Sequence, residues 1–148
     1  RGLSPDDVKF RNDFLVKSGM PDGIARYLLL KIENHIRVER GQIPLDPAKV
    51  TLEHIVPKNP LEHWKLDKTS QEVKELIGRL GNLTLLTGPK NSEVSNLDFE
   101  TKKKHYGELE DVPVITQDVL ASPTWTVKEV EKRQKTLADY AMKVWAVS

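Results

Sequence analysis

The sequence contains no cysteine, which excludes disulfide bonds and zinc sites built from thiolates. It also lacks any apolar run near the roughly 20 residues that a membrane-spanning helix needs. The longest run, residues 27–30, ends at Lys31. We find no secretory-signal pattern and expect a cytoplasmic chain without membrane segments. Because the first residue is Arg1 instead of methionine, we expect a domain excised from a larger protein.

A strong excess of charge of one sign is also missing. The 23 basic and 22 acidic residues leave a formal net charge of +1, whereas many nucleic-acid-binding domains are strongly basic. Any contact with DNA must therefore come from a local patch. The candidates are Lys90, Lys102, Lys103 and Lys104. The alternative for the run 102–104 is a solvated helix face.

Hydrophobic patterning predicts an α+β fold that is mostly helical, within a single domain of 148 residues. We expect a strand–strand–helix core over residues 50–107, with an inserted helix, between helical flanks at 1–49 and 108–148. The pattern over residues 111–120 is ambiguous. The predicted helices are 6–18, 22–40, 70–80, one that ends near 106–107, and 126–146, and the predicted strands are 50–56 and 81–87.

The segment Glu53-His54-Ile55-Val56-Pro57 places an acid and a histidine side by side near the end of the first strand. Imidazole titrates near neutrality, so His54 can accept a proton from water. Glu53 and Asn91 offer oxygen ligands, which suit Mg²⁺ or Mn²⁺. An activated water and a metal ion are what hydrolysis of a phosphodiester needs. These groups therefore favour phosphodiester hydrolysis at one metal site.

Each of these residues also has a structural interpretation. Neighbours on a regular strand point to opposite faces. Glu53 and His54 therefore share a site only if the strand ends or distorts there, which Pro57 favours. Otherwise Glu53 is a surface carboxylate. Asn82 either holds the loop after His54 through side-chain hydrogen bonds or pairs with backbone near a turn. Asn91 is alternatively a helix N-cap.

The order of these residues resembles the HNH, or ββα-metal, nuclease motif in a His-Asn-Asn variant. A closer resemblance covers most of the chain. It is to the HNH-like domain at the C-terminal end of GmrSD-type modification-dependent restriction proteins and their phage-defence relatives. The residues that carry it are 24–30, 53–57, 79–86, Asn91, Asn96, Phe99, Lys102, Tyr106, Trp125, Val130, Arg133, Leu137, Ala138, Ala141 and Trp145.

The resemblance implies that His54 is the general base, that Glu53 and Asn91 hold the metal ion, and that Asn82 orients His54 or its loop. Mg²⁺ is the expected ion, with Mn²⁺ as the alternative. Lys102 occupies a position where the family tends to carry a lysine, and we predict that it contacts a phosphate. Glu53 departs from the family pattern, because this position is often an aspartate.

The resemblance also implies a partner. In that family an N-terminal domain senses modified DNA and handles nucleoside triphosphate, and this sequence has no phosphate-binding glycine-rich loop. The sequence therefore predicts a DNA endonuclease, most simply a nickase. One alternative is a nucleic-acid-binding module with a decayed catalytic site. Another is a helical interaction domain built on the amphipathic pattern after Trp125.

Overall fold

The computed structural model describes residues 4–89 and 94–145. Within these ranges the protein is α+β and mostly helical, as the sequence predicted. No helix there is both long and apolar enough to cross a membrane. The helices and strands are α1 (Pro5–Leu15), α2 (Asp22–Glu39), β1 (Val50–His54), α3 (Gln71–Gly78), β2 (Leu83–Thr87), α4 (Phe99–Gly107), α5 (Val114–Leu120) and α6 (Val127–Trp145).

The element boundaries differ from the predictions at α1, which ends at Leu15 instead of residue 18, and at the two strands. β1 ends at His54, two residues before the predicted end, and Leu80–Asn82 form a 3₁₀ turn instead of opening β2. The reason is that Asn82 binds the backbone of residues 55 and 56 in place of a partner strand. Its carbonyl accepts from the Ile55 N–H at 2.9 Å, and its side chain accepts from the Val56 N–H at 2.9 Å. The ambiguous stretch 111–120 contains α5.

β1 and β2 form a two-stranded antiparallel sheet. Glu53 pairs with Thr84 and His54 pairs with Leu83. Because successive side chains of a strand alternate between faces, this regular register directs Glu53 and His54 to opposite sides of the sheet. The strand distortion that would bring them to one site does not occur.

The start of α2 is held beside the end of α3. The Gly19 N–H donates to the Gly78 carbonyl at 3.0 Å, and Ser18 forms a bridge with Arg79. Gly19 has a φ of 73°, which favours glycine. The contact places the first residue of α2, Asp22, close to the end of β1.

Two hydrophobic clusters bury the apolar faces of these elements. One joins α1, α2, α5 and α6 to β2, and the other joins α3, α4 and Trp125 to the loop after β1. In α2, Ile24 and Tyr27 are 53% and 54% exposed, while Leu29 and Ile32 are fully buried.

α6 packs over the 3₁₀ turn that precedes β2. Gln134 accepts from the Gly81 N–H, and Arg133 donates to the carbonyls of Gly81 and Leu83. A Cβ on Gly81 would overlap the Val130 carbonyl oxygen, so only glycine allows this close approach. Val130, Leu137 and Ala141 of α6 are buried within the domain, although Val127 is 53% exposed. The amphipathic pattern after Trp125 is therefore explained by packing inside the domain.

Candidate active site

His54 lies at the end of β1 with 15% of its side chain exposed. It forms part of the wall of an open cleft of about 340 Å³. The other polar side chains of that wall come from four separate parts of the chain: Asp22, Lys58, Asn59, Lys68 and Lys74. A partly buried imidazole in a lysine-rich cleft is suited to accept a proton beside a bound anion.

An aspartate from α2 is the nearest acid to this imidazole. Asp22 Oδ1 lies 3.9 Å from His54 Nε2, and Asp22 Oδ2 accepts from Lys58 Nζ at 2.9 Å. Burial lowers the pKa of His54 below its usual 6.5, Lys58 and Lys102 lower it further, and the Asp22 charge opposes them. The ring is therefore mostly neutral at pH 7. Sequence reasoning missed Asp22, since no local pattern links it to His54.

Asn82 is fully buried and does not line the His54 cleft. Its Oδ1 accepts from the Val56 N–H at 2.9 Å and from Trp125 Nε1 at 3.1 Å. Its Nδ2 donates to the carbonyls of Val56 and Ile77, each at 3.0 Å. Both hydrogen-bonding groups of the amide are therefore occupied within the protein. Asn82 therefore holds the loop that follows His54, as one of its two predicted interpretations has it.

Glu53 lies on the other face of the sheet, in a separate cavity of about 450 Å³ whose wall includes His105 and Tyr106. Its Oε2 accepts from the Tyr106 hydroxyl at 2.6 Å and lies 3.2 Å from Lys102 Nζ. Burial and the Glu53 charge raise the pKa of Tyr106 well above its usual value, so the phenol remains a donor. The structure does not bring Glu53 and His54 into one cavity.

Lys102 is fully buried. Its ammonium donates to the carbonyls of His54 and Ile55, each at 2.9 Å, and pairs with Glu53. Burial lowers the pKa of Lys102, while Glu53 opposes that effect. With no exposed surface and three partners inside the protein, Lys102 is not placed to contact a phosphate in this arrangement, and the predicted contact stays a prediction.

The other predicted DNA-binding lysines have different surroundings. Lys103 donates to the Ser122 carbonyl at 3.0 Å and pairs with Glu100 at 3.0 Å. Lys104 is exposed on α4. Lys90 lies outside the described residues, so the structure leaves that prediction open.

The predicted metal site is not assembled by the residues that the structure describes. Within 4–89 and 94–145, no group of three His, Asp or Glu side chains is arranged to hold an ion. Glu53 already pairs with the Lys102 ammonium and accepts a hydrogen bond from the Tyr106 phenol, which does not favour a second, divalent cation on the same carboxylate. Asn91 lies outside the described residues. The Glu53–Asn91 site therefore stays a prediction from the sequence.

Comparison with known proteins agrees with the resemblance found in the sequence. No curated protein matches the chain. The family model described as "GmrSD restriction endonucleases, C-terminal domain" matches residues 4–140, which run from α1 into α6. Because the match covers nearly the whole chain, from α1 into α6, this protein belongs to the family of GmrSD restriction endonuclease C-terminal domains.

Proposed function

We propose that this domain is a DNA endonuclease of a restriction or phage-defence protein, most simply a nickase, and that His54 is its general base. The observation that carries the proposal is the position of His54, a mostly neutral imidazole in the wall of a lysine-rich cleft. Family membership supplies the reaction class. The partner that senses modified DNA and handles nucleoside triphosphate stays part of the proposal.

In the proposed reaction, His54 accepts a proton from a water molecule in the cleft. The water oxygen then forms a bond to phosphorus, one bond from phosphorus to a sugar oxygen breaks, and the released oxygen takes up a proton from solvent to become a hydroxyl. The anionic phosphate oxygens repel such a nucleophile, so nearby ammonium groups lower the barrier by offsetting that charge. Lys58, Lys68 and Lys74 are the cations of this cleft.

The backbone around His54 is held from two sides, which supports its role as base. The Lys102 ammonium binds the carbonyls of His54 and Ile55, and Asn82 binds both backbone groups of Val56. Both contacts come from buried side chains. A base that is held in place before substrate arrives loses less free energy to reorganisation during proton transfer.

The predicted metal dependence also stays a proposal, with Mg²⁺ as the expected ion and Mn²⁺ as the alternative. A bound divalent ion would offset the charge that develops on the phosphate and the leaving oxygen. Glu53 and Asn91 are the ligands that the sequence predicts.

The test is relaxation of supercoiled plasmid by the purified chain, with Mg²⁺ or Mn²⁺ and with chelator. We expect His54→Ala to lower the nicking rate by about 10²–10⁴-fold, the usual contribution of a general base. His63→Ala is the matched control, since His63 is exposed and lies outside the cleft. Nicking by His54→Ala at the parent rate would exclude His54 as the base.

One observation favours a second candidate, a DNA-binding module whose catalytic site is decayed or opened only by a partner. The predicted ligand Glu53 is engaged by Lys102 and Tyr106 instead of being free. This candidate predicts that the chain binds DNA but does not nick it with any metal ion.

A further inference from the structure

Three lysines from different segments meet in the His54 cleft. Lys58 follows β1, Lys68 lies in the loop before α3, and Lys74 is on α3. Among the described residues that form the wall, Asp22 is the single acid, so the cleft carries a local excess of positive charge. In a chain of net charge +1, this concentration of cations is the local patch that binding to a polyanion requires.

Lys68 and Lys74 are the cations of this patch for which the described residues supply no partner. Both are exposed, and neither forms an ion pair or a side-chain hydrogen bond in the part of the chain that the structure describes. Lys58 pairs with Asp22, but the two side chains are 61% and 56% exposed. Ion pairs exposed to this extent are weak, so a phosphate can replace Asp22 as the partner of Lys58.

The run of lysines on α4 is less suited to the same task. Lys102 is buried and Lys103 is bound to Ser122 and Glu100, so Lys104 alone is exposed. One exposed ammonium group cannot contact several consecutive phosphates of a DNA strand.

We propose that Lys68 and Lys74 bind consecutive backbone phosphates of DNA, and that Lys58 binds the phosphate nearest His54. This inference rests on the proposed function, since it assigns the DNA-binding surface of that site. Contacts of this kind fix where the strand lies but do not read its sequence. The scissile phosphate would then be brought to the imidazole by lysines at the edge of the cleft.

The test measures binding separately from cleavage. In a His54→Ala background with chelator present, affinity for a short labelled DNA duplex is measured by fluorescence anisotropy over a range of salt concentrations. The variants are Lys68→Gln/Lys74→Gln and the matched control Lys132→Gln/Lys135→Gln, which removes two exposed lysines of α6. Each lost phosphate contact lowers the slope of log K against log salt by about 0.9, so we expect a fall of about 1.8 for the first pair and none for the control.

If the slope of log K against log salt were the same for Lys68→Gln/Lys74→Gln as for the parent, the inference would be overturned. A lower slope caused by Lys104→Gln, with none from the Lys68 and Lys74 substitutions, would also overturn it. Absence of DNA binding by the parent would overturn it too. Plasmid nicking by the wild-type chain keeps the two proposals distinguishable. Nicking with an unchanged slope supports the proposed function and overturns the phosphate cleft. A changed slope without nicking supports the cleft and contradicts the endonuclease.

Discussion

Replacing Lys102 with methionine should destabilise the domain strongly. The substitution keeps most of the apolar stem but removes the ammonium that pairs with Glu53 at 3.2 Å and binds the carbonyls of His54 and Ile55 at 2.9 Å. The side chains of Lys102 and Glu53 are 0% and 10% exposed, so water reaching Glu53 from its cavity replaces the lost ammonium only in part. The carboxylate is then left buried with only the Tyr106 hydroxyl.

Removing one partner of a buried ion pair costs about 3–5 kcal/mol. A domain of this kind has a free energy of unfolding of about 5–15 kcal/mol, so the loss is a large fraction of its stability. Glu53→Gln should cost a similar amount, because it leaves the ammonium of Lys102 buried without a negative partner. The double variant should cost less than the sum of the two single variants, by a coupling free energy of about 0.5–3 kcal/mol.

Urea unfolding followed by circular dichroism, in the presence of chelator, measures these differences. Lys104→Met is the matched control, since Lys104 is exposed on the same helix and should change stability by no more than about 0.5 kcal/mol. If Lys102→Met cost less than about 1 kcal/mol, or if the two substitutions were additive, the buried pair would not exist. Lys102 would then be free to contact DNA, as the sequence predicted.

Two further predictions concern the surroundings of His54. Asn82→Ala leaves both backbone groups of Val56 and the Trp125 indole N–H unpaired, so it should lower the free energy of unfolding by at least about 3 kcal/mol. Urea unfolding measures this loss, and a value below about 1 kcal/mol would contradict the positioning role. Asp22→Asn removes the charge that raises the pKa of His54, so that pKa should fall. The acid limb of the pH profile for nicking should then move to lower pH, because the base stays neutral to a lower pH. An unmoved limb would show that protonation of His54 does not limit the rate.

The fold class and most element boundaries could be predicted because they depend on neighbours in the sequence. Proline, glycine and capping residues end helices locally, so the predicted helix at 22–40 is found as Asp22–Glu39. His54 was identified for the same reason, since its motif is contiguous. Helical spacing did not decide which apolar residues are buried. Ile24 and Tyr27 continue the apolar pattern of α2, yet each is more than half exposed.

The composition of the site required the tertiary structure. Whether a lysine faces solvent or a buried carboxylate depends on packing between distant segments, which is why Lys102 of α4 meets Glu53 of β1. Asp22 and Lys74 reach the His54 cleft because α2 and α3 are joined near Gly19 and Gly78, not because of any shared motif.

The sequence by itself therefore determined the family, the class of fold and the candidate base, all of which follow from local pattern. The tertiary structure decided which charged groups face one another. It separated Glu53 from His54 through the alternation of a regular strand, and it placed exposed lysines around the histidine.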